Sequence, residues 1–462
     1  MTTAPPEKEA PSRLEAIFAG KLNMQHPAVR ASLWTFTSYG AGQVMRLGSN
    51  LILTRLLMPE AFGLMLIVHL VIQGVEMFAD FGLGQSIVQN KRGEEPAFLR
   101  TAWTVQILRS FPVYVIAASL AWPLAVVYEE PMLRWVLPVT ALNIILDAFC
   151  SAQVGVLNRR LEIGRLVAID LGTYALMVAV MVVGALFTES VWPLVIGSLV
   201  GSGVSTALTH IVLGGIPMRF QLDRAVARQL YTFGRWIFLS TMLTFLCGQL
   251  DRVVLGRFMT TAELGVYGIA FMLSQVMTHI VQELSQTVLF PMYARSAEKS
   301  REHLRRQTLR FRGILMAVAL PPLCFLIAFG PEIIGFLYDD RYQGAGFMLQ
   351  LLGVGAVLQA VLIPVEAVLM ASGDSFRHLV LQAGKFTVLL AALAIGGYTH
   401  GAEGIIVGFS VSHALYYPLL AVLVRRYGVW FPWLDALGVA AAGGLVAAGL
   451  WLKPGILTLL TG

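Results

Sequence analysis

Four cations, Arg46, Arg109, Arg252 and Lys385, stand inside long apolar runs. Glu76, Asp80, Asp147, Asp170, Asp251, Glu283 and Glu366 are acids in similar surroundings, and His210, His279 and His413 add imidazoles. A charge in the middle of a membrane-spanning helix costs roughly 2.5–3.5 kcal/mol on insertion scales, so such side chains face protein or water and mark ligand and ion paths. Four cations turned to lipid would together cost on the order of 10 kcal/mol. The chemistry open to the set is reception of an anion in a hydrated cavity, with Arg46, Arg109, Arg252 and Lys385 as its cations. Glu76, Asp80 and Glu283 would then hold those cations or carry a coupling H+ or Na+. Glu76 and Asp80, four residues apart, share one helix face, which suits a cavity wall or partners for Arg46. A plainer use competes: Arg109, Asp170, Asp251, Arg252 and Glu283 lie near enough to helix ends to snorkel to an interface. Arg46 and Lys385 stand nearest the middle of their runs, where that escape is closed.

Bond-making chemistry has no comparable basis. No His/Glu metal pair and no Ser/His/Asp set occurs at useful spacing, so no catalytic residue, metal site or cofactor is expected. Phe81-Gly-Leu-Gly-Gln85 follows a helix rather than a strand and lacks the setting of a nucleotide fingerprint. Cys150, Cys247 and Cys324 are odd in number and sit in apolar runs, unlike a disulfide framework or a zinc site. Gly197, Gly201 and Gly203 give the sixth helix a small-residue side for close packing. The run from Arg305 to Arg310 reads as a topology signal lying on anionic lipid.

The elements that position these residues are spans. Of the 462 residues 57% are hydrophobic and 13% charged, about half the charged share of a soluble globular chain, and mean hydropathy is +0.72. A bilayer core about 30 Å thick takes about 20 apolar residues per helix, which predicts an all-α polytopic membrane protein with no sizeable soluble domain. Helices are expected near 31–54, 61–81, 101–127, 133–156, 166–187 and 190–213, then near 234–255, 264–290, 312–337, 345–371, 378–398 and 402–424. A thirteenth follows near 434–452. The division is a cytoplasmic segment 1–30, an N-lobe 31–213, a linker 214–233, a C-lobe 234–427, and an extra C-terminal helix and tail 428–462. The net charge of +6 reflects loops rather than nucleic-acid binding, since no basic stripe carries interleaved aromatics. With the N-terminus placed in the cytoplasm, 24 of the 33 Lys and Arg fall in inside segments, Arg312 among them, and five fall outside, as the positive-inside rule asks. No secretory signal is read at the start of the chain.

Thr54-Arg-Leu-Leu-Met-Pro-Glu-Ala-Phe-Gly63 after the first helix is echoed by Gly256-Arg-Phe-Met-Thr-Thr-Ala-Glu-Leu-Gly265 after the seventh, 202 residues on. Six crossings per half make the halves parallel repeats about an axis along the membrane normal, the layout of transporters with a path between two lobes.

With Phe78-Ala-Asp-Phe-Gly-Leu-Gly-Gln-Ser-Ile-Val-Gln-Asn-Lys91 added, the residues from Thr54 onward resemble the polysaccharide-transport (Wzx-like) flippases of the multidrug/oligosaccharidyl-lipid/polysaccharide exporter superfamily. The resemblance implies two pseudo-symmetric six-helix bundles around a central cavity. It also implies transfer of a polyprenyl-diphosphate-linked oligosaccharide from the cytoplasmic to the periplasmic leaflet of a bacterial inner membrane, for exopolysaccharide, capsule or lipopolysaccharide assembly. Implied partners are that lipid-linked substrate, membrane lipids, and a polysaccharide polymerase with its co-polymerase. The chain ends after a thirteenth helix, where this family often continues further. A cation-coupled drug or metabolite antiporter would want a carboxylate early in the N-lobe, where the first helix offers Arg46 instead. A peptidoglycan-precursor flippase would share the cationic cavity, whereas a membrane polymerase or ligase would want a sizeable periplasmic loop that the short outside segments do not provide.

Overall fold

With no water in the bilayer core to satisfy backbone N–H and C=O groups, apolar runs close their hydrogen bonds within helices. The computed structural model describes residues 27–79, 86–87, 90, 92–160, 162–290, 292–293 and 301–461. The first half holds α1 (Pro27–Leu56), α2 (Pro59–Ala79), α3 (Pro96–Ser119), α4 (Ala121–Val127), α5 (Leu133–Ala148), α6 (Gln153–Arg160), α7 (Ile163–Phe187) and α8 (Trp192–Ile211). The second holds α9 (Arg224–Phe258), α10 (Thr261–Leu284), α11 (Arg301–Leu337), α12 (Gly344–Ala371), α13 (Ser375–Leu415), α14 (Tyr417–Arg425) and α15 (Pro432–Thr461). Among the described residues nine helical stretches are long and apolar enough to cross a bilayer, or ten with the bent pair α5–α6, angled at 61°, taken as one span. This is an all-α, multi-pass membrane protein.

Local signals explain several boundaries. Asp223 caps α9 by accepting from the N–H groups of Ala225 and Val226, so this helix begins inside the segment read from the sequence as a linker. Thr260 and Glu263 form a reciprocal capping box at the start of α10. Within α13 the chain turns back at His400–Gly401, where Gly401 has φ +58°. The arms of that hairpin touch closely, because a Cβ on Gly396 or Gly404 would lie 2.0 Å from the other's carbonyl oxygen.

The apolar core explains how the halves are joined. Around the α1–α2 and α9–α10 turns one continuous cluster unites Leu57 and Leu64 with Leu255, Leu264, Tyr267 and Tyr342. Away from those turns the core divides into a cluster around Phe98, Leu99 and Trp103 and another around Leu323, Val365 and Leu420. Two lobes therefore meet at one end and part toward the other. At the meeting end α2 and α10 cross at the glycines of the sequence repeat: a Cβ on Gly63 would lie 1.7 Å from the Thr261 carbonyl oxygen, and one on Gly265 would lie 2.1 Å from that of Pro59. Pro59 and Thr261 are also 202 residues apart, so the contact is reciprocal about an approximate two-fold axis. Hydrogen bonds extend the seam. Tyr338 donates to the Asn50 side chain at 2.9 Å, Arg341 donates to the carbonyls of Thr54 and Arg55 at 3.2 and 3.4 Å, and Thr261 donates to Glu130 at 3.2 Å.

The last helix belongs to the second lobe. Arg312 of α11 is fully buried and donates to Asp435 of α15 and, at 3.3 Å, to the Val361 carbonyl. Tyr417 donates to the same carboxylate at 2.8 Å. Arg312 therefore does not belong with the loop cations, where the charge pattern puts it; it lies inside the bundle because Asp435 and Tyr417 supply the partners that a buried guanidinium needs.

Candidate functional site

Beneath the glycine crossing lies a cavity of about 570 Å³ lined by both lobes. From α1 come Gln43 and Arg46; from α9 comes Arg252; α10 supplies Phe271, Gln275, His279, Gln282 and Glu283, and the π-helical turn that follows supplies Gln286. Gln275, His279, Gln282 and Gln286 recur at steps of four, three and four, which sets them on one face of a helix. Wide-pitch turns of this kind occur often at functional sites.

A second cavity of about 470 Å³ opens off the first into the N-lobe. It shares Arg46 and Glu283 with the central one and adds Asp170, Tyr174 and Asn158, with an aliphatic wall that includes Leu166, Val167 and Ile169. Arg46 thus stands at the junction of a glutamine-lined chamber and a more apolar one.

The two cavity cations are held by neutral groups. Arg46 folds along its own helix, its Nε and Nη2 donating to Gln43 Oε1 at 3.0 and 2.7 Å. Arg252 donates to Gln249, which in turn donates to Gln73 of the other lobe at 3.1 Å. The Arg252 guanidinium also lies 4.1 Å from the centre of the Phe271 ring, a cation–π contact that fixes its plane. Beside it Asp251 is fully buried and accepts from the Tyr267 hydroxyl. Ser49 and Tyr174, 3.1 Å apart, tie α1 to α7 at the rim of the side chamber. Amide partners orient both guanidiniums, with the carboxylates of Glu283 and Asp251 near them, and the glutamines can donate to and accept from hydroxyl and amide groups, an arrangement chemically able to take a ligand that carries both negative charge and hydroxyls.

Arg46, Arg252, His279 and Glu283 of the residues singled out by sequence therefore come together in one cavity. Lys385 does not line it: its ammonium donates to Glu366 within the C-lobe and lies 4.8 Å from the centre of the Tyr416 ring, while Tyr416 donates to the same carboxylate at 2.9 Å. Arg109 on α3 and Glu76 on α2 are half-buried and are not among the lining residues. Asp80 falls outside the described residues. The glutamine face is the feature that charge-based reading of the sequence misses, although its spacing is there to find: four polar residues at helical steps on an otherwise apolar segment are as informative as the charges. Among the described residues no group of three His, Cys, Asp or Glu side chains is placed to hold a metal ion, and Cys150, Cys247 and Cys324 are free thiols.

Two helical lobes sealed at one end, with a polar chamber between them, define the architecture of a membrane transporter. The chain belongs to the family described as polysaccharide biosynthesis protein, whose profile matches residues 52–346, in agreement with the resemblance read from residues 54–63 and 78–91. It is similar to the lipopolysaccharide biosynthesis protein WzxC of Escherichia coli strain K12, with 24% identity over 419 residues that cover 86% of this chain and 84% of that one. Its fold is similar to that of the lipid II flippase MurJ in an inward closed conformation, with a TM-score of 0.68 at 13% identity and 93% of each chain covered. It is also similar in fold to an inward-facing multidrug resistance transporter of the MATE family and MOP superfamily, with a TM-score of 0.60 at 16% identity over 87% of this chain and 96% of the other.

Proposed function

We propose that this protein is a flippase that carries a polyprenyl-diphosphate-linked oligosaccharide from the cytoplasmic to the periplasmic leaflet of a bacterial inner membrane, with its N-terminus in the cytoplasm, and makes or breaks no bond in its cargo. The observation that carries the reading is the convergence of Arg46 and Arg252, one from each lobe, on a single glutamine-lined cavity in a chain of the polysaccharide biosynthesis family. A diphosphate that leaves water on one side must be solvated until it regains water on the other, and two guanidiniums held by amides lower that desolvation barrier. The headgroup rests at Arg46, the sugars meet the glutamine face of α10, and the first isoprenyl units lie against Leu166, Val167 and Ile169 in the side chamber. Glu283 shares both cavities with Arg46 and is the carboxylate that competes with the diphosphate for that cation, which makes it the place for a coupling H+ or Na+. Lys385, neutralised by Glu366, supports the C-lobe rather than contacting cargo. A polymerase and co-polymerase on the periplasmic side would take the delivered repeat unit.

Reconstitution tests the reading. Purified protein in liposomes is given fluorescent undecaprenyl-diphosphate oligosaccharide, and its appearance in the opposite leaflet is followed with a membrane-impermeant quencher. Arg46→Ala and Arg252→Ala should each slow transfer by on the order of tenfold or more, as loss of a charge-assisted contact worth roughly 1.5–3 kcal/mol requires. Transfer at the parent rate in both variants would remove the cavity from the mechanism.

A further inference from the structure

The transport reading leaves one strongly charged surface unused. Arg301, Arg305, Arg306 and Arg310 occupy the first turns of α11, and Arg425 and Arg426 close α14; all six are exposed. The fold brings the two groups together. Arg301 donates to the Arg425 carbonyl at 3.4 Å and lies across Gly428, whose φ of +72° turns the chain there. The Arg305 guanidinium is 5.4 Å from the centre of the Phe431 ring and that of Arg425 is 5.9 Å from the Trp430 ring, so aromatic faces hold two of the cations in place. Glu302 approaches Arg306 at 3.6 Å and is the single acid that forms an ion pair with any of the six among the described residues.

The surface next to these cations is apolar. Val422, one turn before Arg425 and Arg426, is 72% exposed, and Trp433, two residues past the Phe431 ring that Arg305 covers, is 56% exposed. A soluble anion would satisfy the arginines and leave this apolar face unmatched. An acidic phospholipid matches both, its phosphate on the Arg305 and Arg425 guanidiniums and its acyl chain along Val422, with the Trp433 indole at the level where such rings settle in membranes. From this geometry we infer that the α11–α14 arginine face is a binding site for the headgroup of an acidic phospholipid, separate from the cavity between the lobes.

The test uses the full-length protein in neutral detergent, titrated with phosphatidylglycerol or with phosphatidylcholine of the same acyl chains and read by native mass spectrometry. Saturable phosphatidylglycerol binding at least tenfold tighter than phosphatidylcholine binding is expected, with no competition from free glycerol phosphate. Each guanidinium near an anionic headgroup contributes a factor of about five, so Arg305→Gln/Arg425→Gln should weaken phosphatidylglycerol binding on the order of 25-fold and leave phosphatidylcholine unaffected. Arg305→Lys/Arg425→Lys, which keeps the charge, should retain most of the preference, and Arg134→Gln, an exposed arginine elsewhere, should retain all of it. Equal binding of the two lipids, phosphatidylglycerol binding unchanged in the glutamine variant, or displacement by glycerol phosphate would overturn the inference whatever the flippase assay gives.

Discussion

Adding one methyl group at Gly63 is the sharpest perturbation the fold offers. The new carbon of Gly63→Ala would lie 1.7 Å from the Thr261 carbonyl oxygen and 2.7 Å from the carbonyl carbon. Ordinary carbon–oxygen approaches are about 3.3 Å or more. Both obstacles are backbone, so no side-chain rotation relieves them, and α2 and α10 must separate by roughly 1.5 Å at the crossing. A radial gap of about 0.5–1 Å already forfeits a quarter to a half of each dispersion contact, and overpacking of this kind costs about 1–3 kcal/mol. The penalty falls on the state in which the lobes are sealed at this end, so the sealed population should drop by about 5- to 150-fold relative to states in which the crossing is open. The assay is labelling of Thr54→Cys, a buried position at the seam, with a membrane-impermeant maleimide in a background with Cys150, Cys247 and Cys324 replaced. Gly63→Ala should speed labelling by that factor, and Gly265→Ala, whose methyl would meet the Pro59 carbonyl, should act in the same direction. Gly48→Ala, with nothing within 4 Å of the added carbon, should leave the rate unchanged. If Gly63→Ala and Gly265→Ala both label at the parent rate with unaltered thermal stability, the crossing does not seal the lobes.

Other consequences are open to simpler measurements. Lys385→Ala leaves Glu366 without its cation in the C-lobe, a loss of roughly 3–5 kcal/mol for a buried pair; Lys385→Met/Glu366→Gln should recover much of the melting temperature in detergent, and a double variant no more stable than Lys385→Ala would contradict the pairing. Arg252→Lys removes the planar stack on Phe271, worth about 1 kcal/mol where partly desolvated, and should lower the melting temperature slightly while also weakening cargo binding in a titration; a variant that melts and binds like the parent would mean that the stack does neither. The Arg341 side chain, hydrogen-bonded to Asp339, holds that carboxyl below the usual carboxylate range. Because a depressed pKa contributes stability above the unfolded value and loses it as pH falls through the folded one, the melting-temperature gap between parent and Asp339→Asn should be present at pH 7 and close below about pH 4. A gap that does not change with pH would mean that the Asp339–Arg341 contact carries no charge term.

The spans are legible in the sequence because lipid leaves the backbone few alternatives, and the spacing of Gly63 and Gly265 by itself points to a duplicated architecture. What spacing does not supply is partner choice. Lys385 and Glu366 lie on different helices, and only packing of α12 against α13 decides that the ammonium meets a carboxylate instead of the cavity. Arg312 reads like one more loop cation because nothing local announces Asp435, 123 residues on. Arg46 and Arg252 converge because α1 and α9 are counterparts in the two lobes, but their own positions are not equivalent in the repeat: Arg46 corresponds to Gly248, and Arg252 to Asn50. The cavity is thus an asymmetric site in a nearly symmetric frame, which local pattern alone does not disclose.

The reciprocal crossing of α2 and α10 also bears on ancestry. A contact in which each side presents the same patch to the other is isologous, so two copies of a half-length precursor would have met through it as a homodimer, each substitution there counting twice. In the single chain each of the two places is encoded on its own, and each still has room only for glycine. Elsewhere the halves were free to diverge: Ser49 and Asp251, again 202 residues apart, now hold a small hydroxyl bonded to Tyr174 in one lobe and a buried acid bonded by Tyr267 in the other.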